Sequence, residues 1–334
     1  MPDIVTIWAA ILAFSVLAYV VLDGFDLGLG ILFLATPRDE ERNLMLASIA
    51  PVWDGNQTWL VMGGGALLAA FPLAYGVVMP ALYMPITAMV LALIFRGVAF
   101  KFRDRNDGAR SAWDAGFAIG SLVATFAQGV TLGALVEGLK VTNGAYAGGA
   151  FDWLSPFSVL TGLALVVGYS LLGATWLIWR TTGRMREKMR RYATFAMFGT
   201  LGAIGLVSAL TPFMNPAYAQ RWFAAPAIYY SALVPALVAL AGWALWRALT
   251  KPGADHTPFL AALSLFVLSF IGLGVSFYPY IVPPSLTLEQ AASDRSSLAF
   301  LLAGGALLIP MVIGYNIHAY WTFRGKVRDG DGYH

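Results

Sequence analysis

Long apolar stretches alternate with short polar connections along the whole chain. Nine of these stretches are long enough, at about 20 residues each, to cross a membrane as a helix. They cover residues 4–35, 57–75, 77–100, 113–136, 157–179, 193–213, 225–246, 258–280 and 298–321. The pattern predicts an all-α integral membrane protein with about nine transmembrane helices, arranged as two four-helix bundles plus one peripheral helix.

The connections are too short to hold a separate soluble core, so residues 1–334 are predicted to form a single polytopic domain. A weak similarity between residues 17–31 (LAYVVLDGFDLGLGI) and 163–176 (LALVVGYSLLGATW) suggests a repeat of 1–136 within 157–280. On the first span, Gly24 and Gly28 are four residues apart, a spacing that lets a second helix approach closely.

Basic residues are distributed very unevenly between the two sets of connections. Seventeen Lys and Arg follow the odd-numbered spans, against three that follow the even-numbered ones. Cytoplasmic connections carry the excess of Lys and Arg in membrane proteins. We therefore expect the N-terminus outside, the C-terminus in the cytoplasm and an odd number of spans. The run 184–191 is then interpreted as a topology signal that meets anionic lipids, and not as a nucleic-acid site.

Composition narrows the chemistry further. Of 334 residues, 59% are apolar and 12% are charged, and the mean hydropathy is +0.70. A soluble domain carries about 25% charged residues, so a soluble enzyme is excluded. The absence of cysteine excludes disulfides, thiolate metal sites and iron–sulfur clusters. The three histidines, His256, His318 and His334, are too few for a histidine-rich metal site, and we expect no haem bound by this chain's own side chains.

Five ionisable residues lie inside or at the ends of the first four spans. Asp23 and Asp26 share one face of the first span, Asp54 opens the second, Arg96 lies near the end of the third, and Asp114 opens the fourth. With the predicted orientation, all five lie toward the cytoplasmic side. Charge inside a bilayer is costly and usually functional. One guanidinium cannot pair with four carboxylates, so some are predicted to carry protons or to hold a cation.

Each of these residues also has a structural interpretation. Asp54 and Asp114 would be helix N-caps, stabilised by the helix dipole. Asp23 and Asp26 would form a salt bridge with Arg96 that only holds helices together.

Longer motifs connect the sequence to a known family. They lie at 23–28 (DGFDLG), 49–60 (IAPVWDGNQTWL), 95–100 (FRGVAF), 173–177 (GATWL), 180–183 (RTTG) and 278–285 (YPYIVPPS). In these motifs the chain resembles subunit II of the cytochrome bd-type quinol oxidases. The resemblance covers essentially the whole chain. Its short length is similar to that of the cyanide-insensitive branch.

The resemblance implies a complex that oxidises quinol and reduces dioxygen to water in the bacterial plasma (inner) membrane, taking protons from the cytoplasm. The haems, two b-type and one d-type or a third b-type, and the quinol-oxidising loop are expected in subunit I. A small accessory subunit with a single helix, a bound quinone and lipids are further candidate partners. Nucleic acid is not expected.

The resemblance also implies that this subunit helps to line a cytoplasmic proton path. That path is predicted to include Asp54, Asp23, Asp26 and Asp114. Arg96 is predicted to hold the carboxylates in place, and the supporting residues are Trp53, Asn56, Gln57 and Trp59. Two alternatives are a secondary transporter coupled to protons or sodium, and a purely structural scaffold subunit.

Overall fold

The computed structural model describes residues 3–105, 107–251 and 253–327. His334 and Arg328, the latter one of the seventeen basic residues counted above, lie outside these ranges. Fourteen helices and two short hairpins account for most of the described chain. The long helices are α1 (Ile4–Leu32), α3 (Trp53–Ala70), α5 (Tyr83–Phe102), α6 (Arg110–Glu137), α7 (Pro156–Arg180), α8 (Gly183–Met214), α11 (Leu233–Thr250), α12 (Thr257–Phe277) and α14 (Arg295–Thr322).

Short elements connect them. The short helices are α2 (Asp39–Ile49), α4 (Pro72–Ala81), α9 (Pro216–Phe223), α10 (Ile228–Ser231) and α13 (Leu288–Ala291). Strands β1 (Val141–Thr142) and β2 (Ala145–Tyr146) form one antiparallel hairpin, and β3 (Tyr280–Val282) and β4 (Leu286–Thr287) form another. The sequence pattern predicted no strands, because two- and three-residue ladders are too short to leave a period in the hydropathy.

Helix packing reproduces the two predicted four-helix groups. In the first group α3 packs on α1, α1 on α6 and α6 on α5; in the second, α7, α8, α11 and α12 pack as neighbours in a ring. The two groups are joined by extensive contacts of α7 with α1 and α6, while α14 lies to one side against α1 and α3. The prediction of one peripheral helix is confirmed by α14.

Within the described residues, eight helical segments are long and apolar enough to cross a membrane, and α3 is not among them because its first turns are polar. The contacts at its two ends nevertheless show that α3 runs from one face of the bundle to the other. The segment before α3 and the segment after α5 meet at one face, where Arg42 bonds to Asp114. The far end of α3 lies at the opposite face, where the Ser293 N–H donates to the Ala70 carbonyl. With α3 added to the eight apolar segments, the described residues hold nine candidate crossings, and the count of about nine spans stays a prediction.

The connections that are rich in Lys and Arg meet at one face of the bundle. Lys188 binds Glu41 at 2.6 Å, and Lys326 binds Asp255 at 2.6 Å. These pairs join connections that follow odd-numbered spans, which agrees with the odd span count. We refer to this face as the basic face; its assignment to the cytoplasm stays a prediction.

Prolines set helix boundaries that hydropathy placed wrongly. The second span was predicted to reach residue 75, but α3 ends at Ala70 because Phe71 precedes Pro72 and leaves the helical region, with φ −131° and ψ 59°. The third predicted span, 77–100, is broken at Leu82. Pro85 has no N–H to donate to the carbonyl of residue 81, so α5 begins as a separate helix.

The sixth span is longer than hydropathy indicated. It was predicted to begin at residue 193, but α8 begins at Gly183 and includes the basic run. A hydropathy profile cannot detect this extension, because a helix continues into water without a change in its backbone hydrogen bonds.

Two glycines allow α1 and α7 to approach to backbone contact. A Cβ at Gly28 would overlap the backbone carbonyl of Tyr169, and a Cβ at Gly173 would lie 2.6 Å from the Gly28 carbonyl carbon. The segments that contain them are those whose weak similarity suggested a repeat. The repeat itself stays a prediction, while the close approach is a feature of the fold.

We expect Gly28→Ala to destabilise the protein by about 1–3 kcal/mol, because the added methyl forces the α1 and α7 backbones apart. Gly202→Ala is the matched control, since nothing lies within 4 Å of a Cβ at Gly202. Thermal unfolding in detergent measures both. Equal melting temperatures for the two variants would contradict the proposed backbone contact.

Candidate functional site

A buried charged cluster lies between α1 and α5. Arg96 Nη1 donates to Asp23 Oδ1 at 2.8 Å, and Arg96 Nη2 lies 3.9 Å from Asp26 Oδ2. All three residues have 0% exposure. We call these three residues the Asp–Arg–Asp cluster. The predicted salt bridge of Arg96 with Asp23 and Asp26 is therefore present in the structure.

The local sequence explains how this cluster forms. Asp23 and Asp26 are one helical turn apart, so both carboxylates face α5. Gly120 on α6 allows α6 to pack tightly on α5, since a Cβ there would lie 2.8 Å from the Ala92 carbonyl and 3.2 Å from the Arg96 Cβ. The Phe117 ring covers the guanidinium, with its centroid 6.0 Å from the Arg96 Cζ. Close helix packing therefore excludes lipid and bulk water from the charges.

Charge and hydrogen bonding in the cluster are unequal for the two carboxylates. Asp23 receives the direct hydrogen bond from the guanidinium, whereas Asp26 accepts its 2.8 Å hydrogen bond from the neutral side-chain amide of Asn56. Within the described chain, Asp23 Oδ2 and Asp26 Oδ1 have no hydrogen-bond partner. Two carboxylates thus share a single cation in a site of low dielectric, and one bound proton would balance the charge.

Asn56 and Tyr320 extend the cluster toward the basic face. The Asn56 Nδ2 also donates to the Leu22 carbonyl at 3.2 Å, which fixes the amide between α1 and α3. The Tyr320 hydroxyl, from α14, donates to Asn56 Oδ1 at 2.9 Å. Asn56 was predicted as a supporting residue. Tyr320 was missed, although a tyrosine four residues after Asn316 in an otherwise apolar span is a signal that could have been used.

Asp54 does not join the cluster. It lies in the first turn of α3 with an exposed side chain, two residues before Asn56 and therefore on a different side of the helix. The N-cap interpretation is also wrong, because the helix begins at Trp53 with Val52 in the cap position and no side-chain cap bond. Asp54 is close to the cluster along the chain, but it points outward.

Asp114 belongs to a second ionic site at the basic face. It bonds to Arg42 at 2.8 Å and to Arg103, two cations that the count of one guanidinium for four carboxylates did not include. Its N-cap interpretation is wrong as well, because α6 begins four residues earlier, at Arg110. Arg42 and Arg103 reach Asp114 from the connections, so cations inside the spans alone do not reveal this site.

The remaining supporting residues have packing roles. The Trp53 ring packs against Phe100 with centroids 4.8 Å apart, and the Trp59 ring meets Phe14 edge-on at 5.3 Å. Gln57 is half-buried, and its amide nitrogen has no hydrogen-bond partner among the described residues. The two tryptophans thus pack the start of α3 against α5 and α1, and no hydrogen bond from Trp53, Gln57 or Trp59 to the cluster's carboxylates is found among the described residues.

Comparison with known proteins identifies the family. The family model described as cytochrome bd terminal oxidase subunit II matches residues 4–323. This chain belongs to that family. It is therefore a subunit of a terminal oxidase complex, and membership does not favour the secondary-transporter alternative.

Individual relatives agree over nearly full length. The chain is 30% identical over 364 residues to "Cytochrome bd-I ubiquinol oxidase subunit 2" of Escherichia coli (strain K12), covering 97% of this chain and 95% of the relative. It is 27% identical over 338 residues to "Cytochrome bd ubiquinol oxidase subunit 2" of Bacillus subtilis (strain 168), covering 98% of each. The fold is similar to a chain of the bd oxidase from Geobacillus thermodenitrificans, with a TM-score of 0.77 at 18% identity over 97% of this chain and 99% of that chain.

We expect Asp114→Asn to lower the stability of the protein by about 3 kcal/mol, because the Arg42 and Arg103 guanidiniums would lose the carboxylate they share. Asp152→Asn is the matched control: Asp152 pairs with Lys140 at 2.9 Å in an exposed ion pair, and such pairs contribute little. Thermal unfolding in detergent measures the stability of both variants. If both variants unfold at the wild-type temperature, Asp114 does not hold the basic face together.

Proposed function

We propose that this chain contributes a proton-uptake path to a quinol:dioxygen oxidoreductase in the plasma membrane of a bacterium. The relatives are named as subunits of ubiquinol oxidases, which supports the activity of the complex. The observation that carries the proposal is the Asp–Arg–Asp cluster: two carboxylates and one guanidinium with 0% exposure. Ionisable groups so deep in a membrane protein are costly, and they usually mark ion or proton pathways.

The proposed chemistry is the binding and release of one proton. Asp23 stays ionised in its hydrogen-bonded pair with Arg96. Asp26, which accepts from the neutral amide of Asn56, takes a proton from cytoplasmic water and releases it toward the site of oxygen reduction. Protonating Asp26 balances the charge of the cluster, and deprotonating it is stabilised by the guanidinium 3.9 Å away.

The haems are proposed to lie in subunit I. A haem in a helical bundle needs axial ligands that project into the bundle core. His318 is exposed on α14 and His256 is exposed just before α12, so neither of these described histidines fits that position. Three or more His, Asp or Glu arranged for a metal ion are not found among the described residues either.

One face of α3 is proposed to dock on subunit I. Asp54, Thr58, Val61, Gly64 and Leu68 are exposed, and they form a single stripe with a spacing of three to four residues. A carboxylate and a glycine facing lipid would be costly and poorly packed, whereas small residues are typical of helix–helix interfaces in membranes. Asp54 would then lie at the subunit boundary and hand protons across it. The accessory subunit and a bound quinone or lipid stay predictions.

Asp26→Asn is expected to lower quinol-driven oxygen uptake at least about tenfold, because the amide cannot exchange a proton. The haem spectrum and the yield of the complex should stay at wild-type levels, since the change keeps the shape of the side chain. Glu187→Gln, the same chemical change on the exposed surface of α8, is the matched control. Wild-type turnover in Asp26→Asn would support the scaffold alternative and would remove this residue from the path.

Gly64→Leu is expected to reduce the amount of subunit I that co-purifies with this chain, because the larger side chain keeps the partner's helix away from α3. Gly205→Leu on α8 is the control, since nothing lies within 4 Å of a Cβ at either glycine. Equal recovery of subunit I with both variants, measured by co-purification in mild detergent, would show that the stripe on α3 is not the docking face.

A further inference from the structure

A narrow crevice opens at the basic face, where α7 and α14 end beside the connection between α2 and α3. Its volume is about 50 Å³, which exceeds the roughly 15 Å³ that one water molecule needs. Residues in its wall include Ser48, Val52, Trp176, Arg180, Tyr320 and Phe323. The wall is mostly apolar, but the guanidiniums of Arg180 and Arg324 and the hydroxyls of Ser48 and Tyr320 offer hydrogen-bond partners to water.

The C-terminal segment that forms one side of this crevice is firmly attached. Arg180 donates to the Phe323 carbonyl, and the Val327 N–H donates back to the Arg180 carbonyl at 2.9 Å. Lys326 anchors the segment to Asp255 at 2.6 Å. The crevice is therefore a built feature of the fold, with walls held by hydrogen bonds and an ion pair.

Tyr320 connects the crevice to the Asp–Arg–Asp cluster. It lines the crevice, and its hydroxyl bonds to the Asn56 amide, whose nitrogen bonds in turn to Asp26. The Tyr320 hydroxyl and the Asp26 carboxylate thus contact opposite ends of one amide group. Asp54 takes no part in these contacts, so this connection is independent of the α3 stripe.

We propose that water from the basic face reaches Asp26 through this crevice, and that Tyr320 and Asn56 are the positioning residues that present Asp26 to it. The inference rests on the proposed proton-uptake function. In the transfer, an O–H bond of a protonated water breaks as an O–H bond to the Asp26 carboxylate forms. Asn56 fixes the direction of the carboxylate, and Tyr320 fixes Asn56 by occupying its carbonyl oxygen. An amide keeps its own hydrogens in this arrangement, so water carries the proton.

The first test is Tyr320→Phe in the intact oxidase complex. The ring that lines the crevice remains, but the hydrogen bond to Asn56 is lost. Oxygen uptake should fall about three- to tenfold, the range that one hydrogen bond is worth. The slowing of turnover in D₂O should also become larger than in the wild type, since proton delivery then limits the rate. A packing defect would not change the isotope effect, and the haem spectrum reports on assembly.

The second test blocks the crevice without touching its hydrogen bonds. The Phe323 side chain is 51% exposed, and only its backbone carbonyl accepts the hydrogen bond from Arg180. Phe323→Cys therefore places a reactive thiol at the rim of the crevice and keeps that bond. This chain has no cysteine of its own that would also react. Modification with a bulky thiol reagent should slow oxygen uptake at least about threefold. Thr250→Cys, exposed at the end of α11, is the control, and the reagent-treated wild-type complex sets the baseline.

The outcomes separate this inference from the function on which it rests. If Tyr320→Phe and modified Phe323→Cys turn over as wild type while Asp26→Asn is slow, the crevice inference is wrong and the proton path stands. If modified Phe323→Cys turns over as wild type, the crevice inference is also wrong, whatever the result for Tyr320→Phe. If Asp26→Asn turns over normally, the proposed function itself is wrong.

Discussion

The ion pair between Arg96 and Asp23 constrains the rest of the structure. A guanidinium with 0% exposure inside a membrane bundle is tolerated only if carboxylates and close packing surround it. That requirement fixes the relative depth of α1 and α5, because Arg96 must lie level with both Asp23 and Asp26. The position of α3 follows, since Asn56 donates to Asp26 and to the backbone of α1. Three helices are thereby held in register by polar contacts that lipid cannot replace.

Small residues supply the close packing on which this pair depends. Gly28 and Gly173 bring the α1 and α7 backbones together, and Gly120 seats α6 on α5 beside Arg96. Ion pairs between the basic connections then fix the ends of the helices, as Arg42 does with Asp114. The opposite face, with its two hairpins and short helices, is joined by other side-chain contacts, such as the ion pair of Arg295 with Asp3 and the hydrogen bond from Arg221 to the Ser276 carbonyl.

Hydropathy and motifs predicted much of the fold. The all-α membrane class, the peripheral last helix and the pairing of Arg96 with two carboxylates could be predicted, because they depend on the length of apolar runs, on spacing and on the cost of charge in lipid. The second span was extended past the turn at Phe71 and the break at Leu82 was not predicted, because a single proline ends a helix without ending an apolar run. The surroundings of Asp114 were not predicted, since Arg103 reaches it from the connection directly before α6 and Arg42 from a connection 72 residues away in sequence.

Asp54 shows the limit of motif-based reasoning about sites. It lies within a specific motif beside Asn56, and the sequence placed both near the cluster. A difference of two residues on a helix corresponds to opposite sides, so one side chain bonds to Asp26 and the other points away from the bundle. Only the packing of α3 on α1 decides which of these two side chains faces Asp26. Tyr320 joins the site from the far end of the chain, and a single sequence offers no means to pair it with Asn56.

The most direct test of the central claim is infrared difference spectroscopy of the whole oxidase complex, oxidised minus reduced, in H₂O and in D₂O. If the Asp–Arg–Asp cluster exchanges a proton during turnover, the spectrum will contain a carbonyl band of a protonated carboxyl group that shifts in D₂O and is lost in Asp26→Asn. A spectrum in which every such band persists in Asp26→Asn and in Asp23→Asn would show that the cluster carries no exchangeable proton, and would contradict the account.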